Sequence, residues 1–163
     1  MAITKAKKKE IISGLEKGMA DATSVVFVNF NGLTVGKATE IRRTLQEQGI
    51  SYRVAKKTLI GRALDSKGYE GSMPEMPGNI ALAWSNDDPT APAREIFEFH
   101  KKNKKSMSIV GGVFENRYRT MEEMNDIAQI PDLQTLRGMF VNVINSPIQG
   151  LAVALGQIAQ KRA

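Results

Sequence analysis

The residues best placed for chemistry in this 163-residue chain are Arg53-Val54-Ala55-Lys56-Lys57-Thr58. A strand end feeding a helix start at that point would gather two ammonium groups, a hydroxyl and unpaired backbone N–H groups. A helix N-terminus attracts anions on its own account, and lysine there is otherwise unfavourable by about 0.3 kcal/mol. Two lysines in that place point to a phosphate. Arg42 and Arg43 precede them on an expected helix, where their forked guanidinium groups suit phosphate and base edges while lysines act as point charges. A purely solubilising surface is the competing reading of the same residues.

Other chemistry finds less support. The chain has no Cys and one His, which excludes thiol nucleophiles, disulfides and Cys-based zinc or iron–sulfur sites. His100 lacks a Ser, Cys or His partner and reads as a helix-end residue. Gly32-Leu-Thr-Val-Gly36-Lys37-Ala38-Thr39 sits between an expected strand and helix, as a phosphate-binding loop would. It has three residues between its glycines instead of four, and Ala38 where a magnesium-binding Ser or Thr belongs. A nucleotide-binding enzyme is therefore a secondary alternative, and no metal or cofactor is expected. Trp84 and Met73, Met76, Met121 and Met124 read as core and gap-filling residues.

The elements that must position the basic segment follow from periodicity. Helices are expected over residues 3–20 (Ile3, Ile11, Ile12, Leu15, Met19), 34–48, 56–64 and 120–128, the last capped by Thr120, with Asp21 in a polar break; a further helix opens at Asp87-Asp88-Pro89-Thr90 and carries Ile96, Phe97 and His100. Strands are expected over 25–28, 50–55, 79–84 and 106–114. The 25–28 run is apolar throughout and suits a strand buried on both faces. In 50–55, Ile50, Tyr52 and Val54 alternate with polar neighbours, and Gly111-Gly112 suggests a bulge or close backbone approach. This alternation predicts an α+β protein: a layered α/β globular domain over 1–130 with a mixed, mainly antiparallel sheet, for which a ferredoxin-like arrangement is expected. The net charge is +6, and residues 37–62 hold Lys37, Arg42, Arg43, Arg53, Lys56, Lys57 and Arg62 against Glu40 and Glu47. Satellites lie at Lys5, Lys7, Lys8 and Lys9 and at Lys101, Lys102, Lys104 and Lys105. No apolar stretch follows the basic N-terminus, so a cytoplasmic protein is expected.

The last part, 131–163, reads as a helical extension with different physics. Residues 138–160 carry no charge, and Phe140, Val143, Ile144, Ile148, Leu151, Leu155 and Ile158 recur in helical steps. Such a helix wants cover on more than one side. A membrane anchor fits the length, but Asn142, Asn145, Gln149 and Gln157 would be costly in lipid. A core helix and a helix docked into partner subunits remain, the latter favoured by a stripe that continues on both sides of an expected break at Pro147.

Three stretches carry a family resemblance: Phe30-Asn-Gly-Leu-Thr-Val35, Glu40-Ile-Arg-Arg-Thr-Leu45 and Tyr52-Arg-Val-Ala-Lys-Lys-Thr-Leu-Ile-Gly-Arg-Ala-Leu64. With the 79–84 and 106–114 strands and Ser146-Pro147 in the tail, they resemble the bacterial ribosomal stalk-base family, the tenth protein of the large subunit, along essentially the whole chain. The chain departs from the family at Lys57, often Asn, and at Gly61, often basic. The resemblance implies a non-enzymatic ribosomal component whose globular domain binds large-subunit rRNA beside the neighbouring eleventh protein. It implies that the tail carries dimers of the acidic stalk protein, which recruit translational GTPases. The RNA role would fall on Lys7, Lys8, Gly32, Lys37, Arg42, Arg43, Arg53, Lys56, Lys57, Thr58 and Arg62. The stalk role would fall on the stripe from Phe140 to Ile158. A helix of about 30 residues spans ~45 Å, which suggests two dimers divided near Pro147.

Overall fold

The computed structural model describes residues 4–20, 22–102 and 107–162; Ile3, Asp21, Lys104, Lys105 and Ser106, named above, lie outside the described residues. Along the chain run α1 (Lys5–Gly18), β1 (Ser24–Phe30), α2 (Val35–Glu47), β2 (Ser51–Val54), α3 (Lys57–Asp65), β3 (Ile80–Ser85), α4 (Ala91–Lys102), β4 (Met107–Phe114), β5 (Arg117–Arg119), α5 (Met121–Ala128) and α6 (Leu133–Arg162). The protein is α+β.

The strands form a five-stranded sheet in the order β2-β3-β1-β4-β5. Every ladder between these strands is antiparallel, and the one parallel contact among the described residues is an isolated bridge from Glu70 to Arg117. The path β1-α2-β2-β3-α4-β4 follows the ferredoxin-like pattern, with α3 inserted between β2 and β3.

Alternation along the strands sends residues to two cores. Val26 and Val28 pack with Ile41, Leu45, Ile96 and Met124 from α2, α4 and α5. Val25 and Phe27 pack with Leu15, Ile60, Leu64 and Trp84 on the face carrying α1 and α3. Cover on both faces is why the 25–28 run lacks polar alternation. Opposite it, the ladder slips between Phe27 and Val28, which face Gly111 and Ile109, so Val110 is the extra residue of a β-bulge. Gly112 is a close approach: a Cβ there would lie 2.6 Å from the Val25 carbonyl oxygen.

Four local features differ from expectation. Strand β5 carries no clear sequence signal because its hairpin turns through Glu115 and Asn116, whose φ values of 51° and 63° suit glycine or asparagine better than glutamate. Val54, expected on a buried face, is 47% exposed because β2 is an edge strand. Met121 is also exposed rather than gap-filling. Pro147 does not break the tail, since α6 continues through it for 30 residues. Proline removes one intrahelical hydrogen bond, a loss the neighbouring turns outweigh. The Thr120 expectation holds: its Oγ1 accepts from the Glu123 N–H, and the Glu123 carboxylate accepts from the Thr120 N–H at 3.0 Å, a reciprocal capping box.

The chain divides into two compact units, with the boundary between Ile130 and Pro131. In the second, α6 exposes every side chain described from Leu133 to Lys161.

Candidate functional site

Among the described residues the outer edge of β2 has no strand neighbour, and a cleft of about 580 Å³ runs along it. Arg42 reaches the cleft from α2, Arg53 from β2, and Lys56 from the residue that precedes α3. Ile11, Leu15 and Leu59 supply an apolar floor, completed by Tyr52 and Val54. The alternation of β2 explains the mixture. Tyr52 packs with the α2 core, whereas Arg53 lies across α1, its Nη1 3.2 Å from where a Cβ on Gly14 would sit. Burial pushes the Tyr52 phenol above its ordinary range, while the nearby Arg42 guanidinium pulls it down. Arg42, Arg53 and Lys56 join no ion pair among the described residues.

Lys57 and Thr58 line a neighbouring hollow with Lys56, Phe30 and Gly78. The Lys57 ammonium donates to the Met76 carbonyl at 3.2 Å, which ties the 68–78 loop to the start of α3. The N–H groups of Leu59 and Ile60 both donate to the Lys56 carbonyl, at 2.8 and 3.1 Å. The first-turn donors left to a ligand are therefore those of Lys57 and Thr58.

The remaining basic candidates fall in different places. Arg43 is fully outward, with its Nε donating to Glu47 at 3.1 Å. Lys37 lines a separate groove between α2 and α4, together with Glu40, Glu95 and Glu98. Lys7 and Lys8 are exposed on α1, one helical turn before Ile11 and Ile12. Arg62 lies in the last turn of α3, one turn beyond Thr58. Gly32 makes the exposed turn before α2; its φ is +67°, and a Cβ added there would meet nothing within 4 Å. Thus the structure brings together Arg42, Arg53 and Lys56, sets Lys57 and Thr58 beside them, and separates Lys37. In the sequence, Tyr52 and Val54 read only as core-facing strand residues. Their place next to Arg53 on a short strand is the available signal, and it gains meaning once β2 is known to be an edge.

The second candidate surface is α6. Phe140, Val143, Ile144, Ile148, Leu151, Leu155 and Ile158 are each between 51% and 70% exposed. By length and composition the helix could also cross a membrane. Among the described residues no group of His, Cys, Asp or Glu could hold a metal.

Comparison with known proteins agrees with the sequence resemblance. Residues 3–101 match the family model described as Ribosomal protein L10. The chain is 34% identical over 157 residues to the large ribosomal subunit protein uL10 of Lacticaseibacillus casei strain BL23, covering 96% of this chain and 93% of the relative. The uL10 of Lacticaseibacillus paracasei matches with the same identity and coverage. On these matches the chain belongs to the ribosomal protein L10 family, structural and non-enzymatic components of the large ribosomal subunit in the cytoplasm.

Proposed function

We propose that this chain forms the base of the large-subunit stalk, with its globular unit bound to large-subunit rRNA and α6 bound to dimers of the acidic stalk protein. The observation that carries the reading is the contrast between the two units. One gathers Arg42, Arg53 and Lys56 without an acidic partner among the cleft residues; the other presents a helix whose 138–160 stretch carries no charge and has exposed side chains throughout. Cations bind polyanion by displacing condensed counterions. An apolar helix binds partners by burying its surface, at about 25 cal/mol per Å² before ordering costs.

The RNA contacts fall chiefly on Arg42, Arg53 and Lys56, with Lys57 and Thr58 adjoining and Lys7, Lys8, Gly32, Arg43 and Arg62 peripheral. The stalk contacts fall on the stripe from Phe140 to Ile158. Two stalk dimers fit its length, and the neighbouring eleventh protein of the large subunit adjoins the RNA-bound unit. Without enzymatic chemistry of its own, such a base supports the recruitment of translational GTPases.

Co-expression with the acidic stalk protein, followed by native mass spectrometry, tests the tail assignment. The complex should carry two dimers, and Leu151→Asp should release at least one of them while rRNA binding persists. Retention of both dimers by the variant would reject the assignment of α6. Partition of the purified chain into lipid vesicles, with no stalk protein captured, would favour a membrane anchor instead.

A further inference from the structure

We propose that the cleft along the β2 edge holds the base of a single unpaired nucleotide extruded from the RNA, with Arg42, Arg53 and Lys56 on its flanking phosphates; this rests on the rRNA reading above.

A basic face alone would serve to bind duplex, and it needs no apolar floor. Bases inside a duplex are stacked on one another, so their faces are covered and only edges and phosphates meet the protein. Here the cations surround apolar side chains that keep open surface, those of Ile11, Tyr52 and Val54, above the buried Leu15 and Leu59. Apolar surface of that kind gains free energy only from a base whose faces are free, and recognition of loop and bulge nucleotides works by such contacts with aromatic rings and guanidinium planes. The cleft, at about 580 Å³, lies in the range of small-ligand sites. Its lining residues include three cations and no carboxylate, which complements a nucleotide with its two phosphates. Val54 adds a second indication. It is an apolar β-branched residue left 47% exposed on an unpaired sheet edge, a position usually given to a charge. An acidic peptide would satisfy the cations and leave this floor uncovered.

The test uses the full chain bound to deproteinised large-subunit rRNA. Hydroxyl-radical cleavage reports contact with the backbone, and dimethyl sulfate reports access to the base. Wild-type protein should protect one unpaired base as well as the backbone on either side of it. Val54→Met fills the cleft from an already exposed position. It should abolish the base protection and weaken binding about tenfold, with backbone protection and salt dependence retained. Val35→Met, the same kind of change at an exposed apolar residue outside the cleft lining, should behave as wild type in base protection. Backbone protection with no unpaired base protected, or base protection that survives Val54→Met, would overturn the cleft assignment while leaving the rRNA reading intact. Absence of both protections would reject the rRNA reading itself. Displacement of the protected base by an octaglutamate peptide would identify an acidic peptide as the occupant and also overturn the proposal.

Discussion

Replacing Arg42 and Lys56 together by alanine separates the geometry proposed here from a diffuse basic surface. Both side chains reach one cleft from different elements and neither is engaged in an ion pair among the described residues, so both charges are available to phosphates. Each phosphate contact contributes about 0.9 to the slope of log affinity against log salt on duplex, and about 0.7 on single strands. The double variant should therefore flatten the slope by about 1.4–1.8, and at about 0.1 M salt weaken rRNA binding by roughly 25- to 60-fold. Filter binding across a potassium chloride series measures both quantities. Two single variants sharpen the test. Arg43 is held by Glu47 at 3.1 Å, so Arg43→Ala should change the slope less than Arg42→Ala. Lys37 lies in the groove with Glu40, Glu95 and Glu98, and Lys37→Ala should leave the slope unchanged. An unaltered slope in the double variant, or a Lys37 effect equal to that of Arg42, would refute the reasoning.

Three further outcomes are expected. Leu151 is 63% exposed, so burying it in a stalk dimer is worth about 1–2 kcal/mol; Leu151→Ala should weaken the stalk complex by roughly 5- to 30-fold in a titration followed by calorimetry. Gly112→Ala places a Cβ 2.6 Å from the Val25 carbonyl oxygen and should lower stability by about 1–3 kcal/mol, seen as an earlier urea midpoint in the fluorescence of the buried Trp84. Burial raises the Asp88 carboxyl pKa, but hydrogen bonds from Thr90 and the charge of Arg94 outweigh this and hold it below its ordinary value of 3.8. Its stabilising contribution is thus complete above that value and is lost as pH falls through the lower folded value. Asp88→Asn should reduce stability at neutral pH and make the loss on acidification shallower, as urea midpoints between about pH 2 and pH 6 would record.

Much of this protein is legible in residue order because the forces involved are local or depend only on composition. Period-two and period-3.6 patterns mark most elements, since burial on one face requires them. The uncharged 138–160 segment announces a helix in want of cover, whatever surrounds it. Thr120 and Glu123 announce a helix start, because a capping box is made within four residues. Tertiary structure decided the rest, where the cause lies in distant segments. Edge or centre is a property of the sheet and not of the strand, so the exposure of Val54 follows only from β3 being the one strand paired with β2 among the described residues. The same holds for charge. Lys37 and Arg42 are five positions apart on α2, yet one faces Glu95 and Glu98 across a groove and the other joins Arg53 and Lys56. Sequence counts the cations, but only the packing of α2 against β2 on one side and α4 on the other sorts those that meet an anion from those already beside carboxylates.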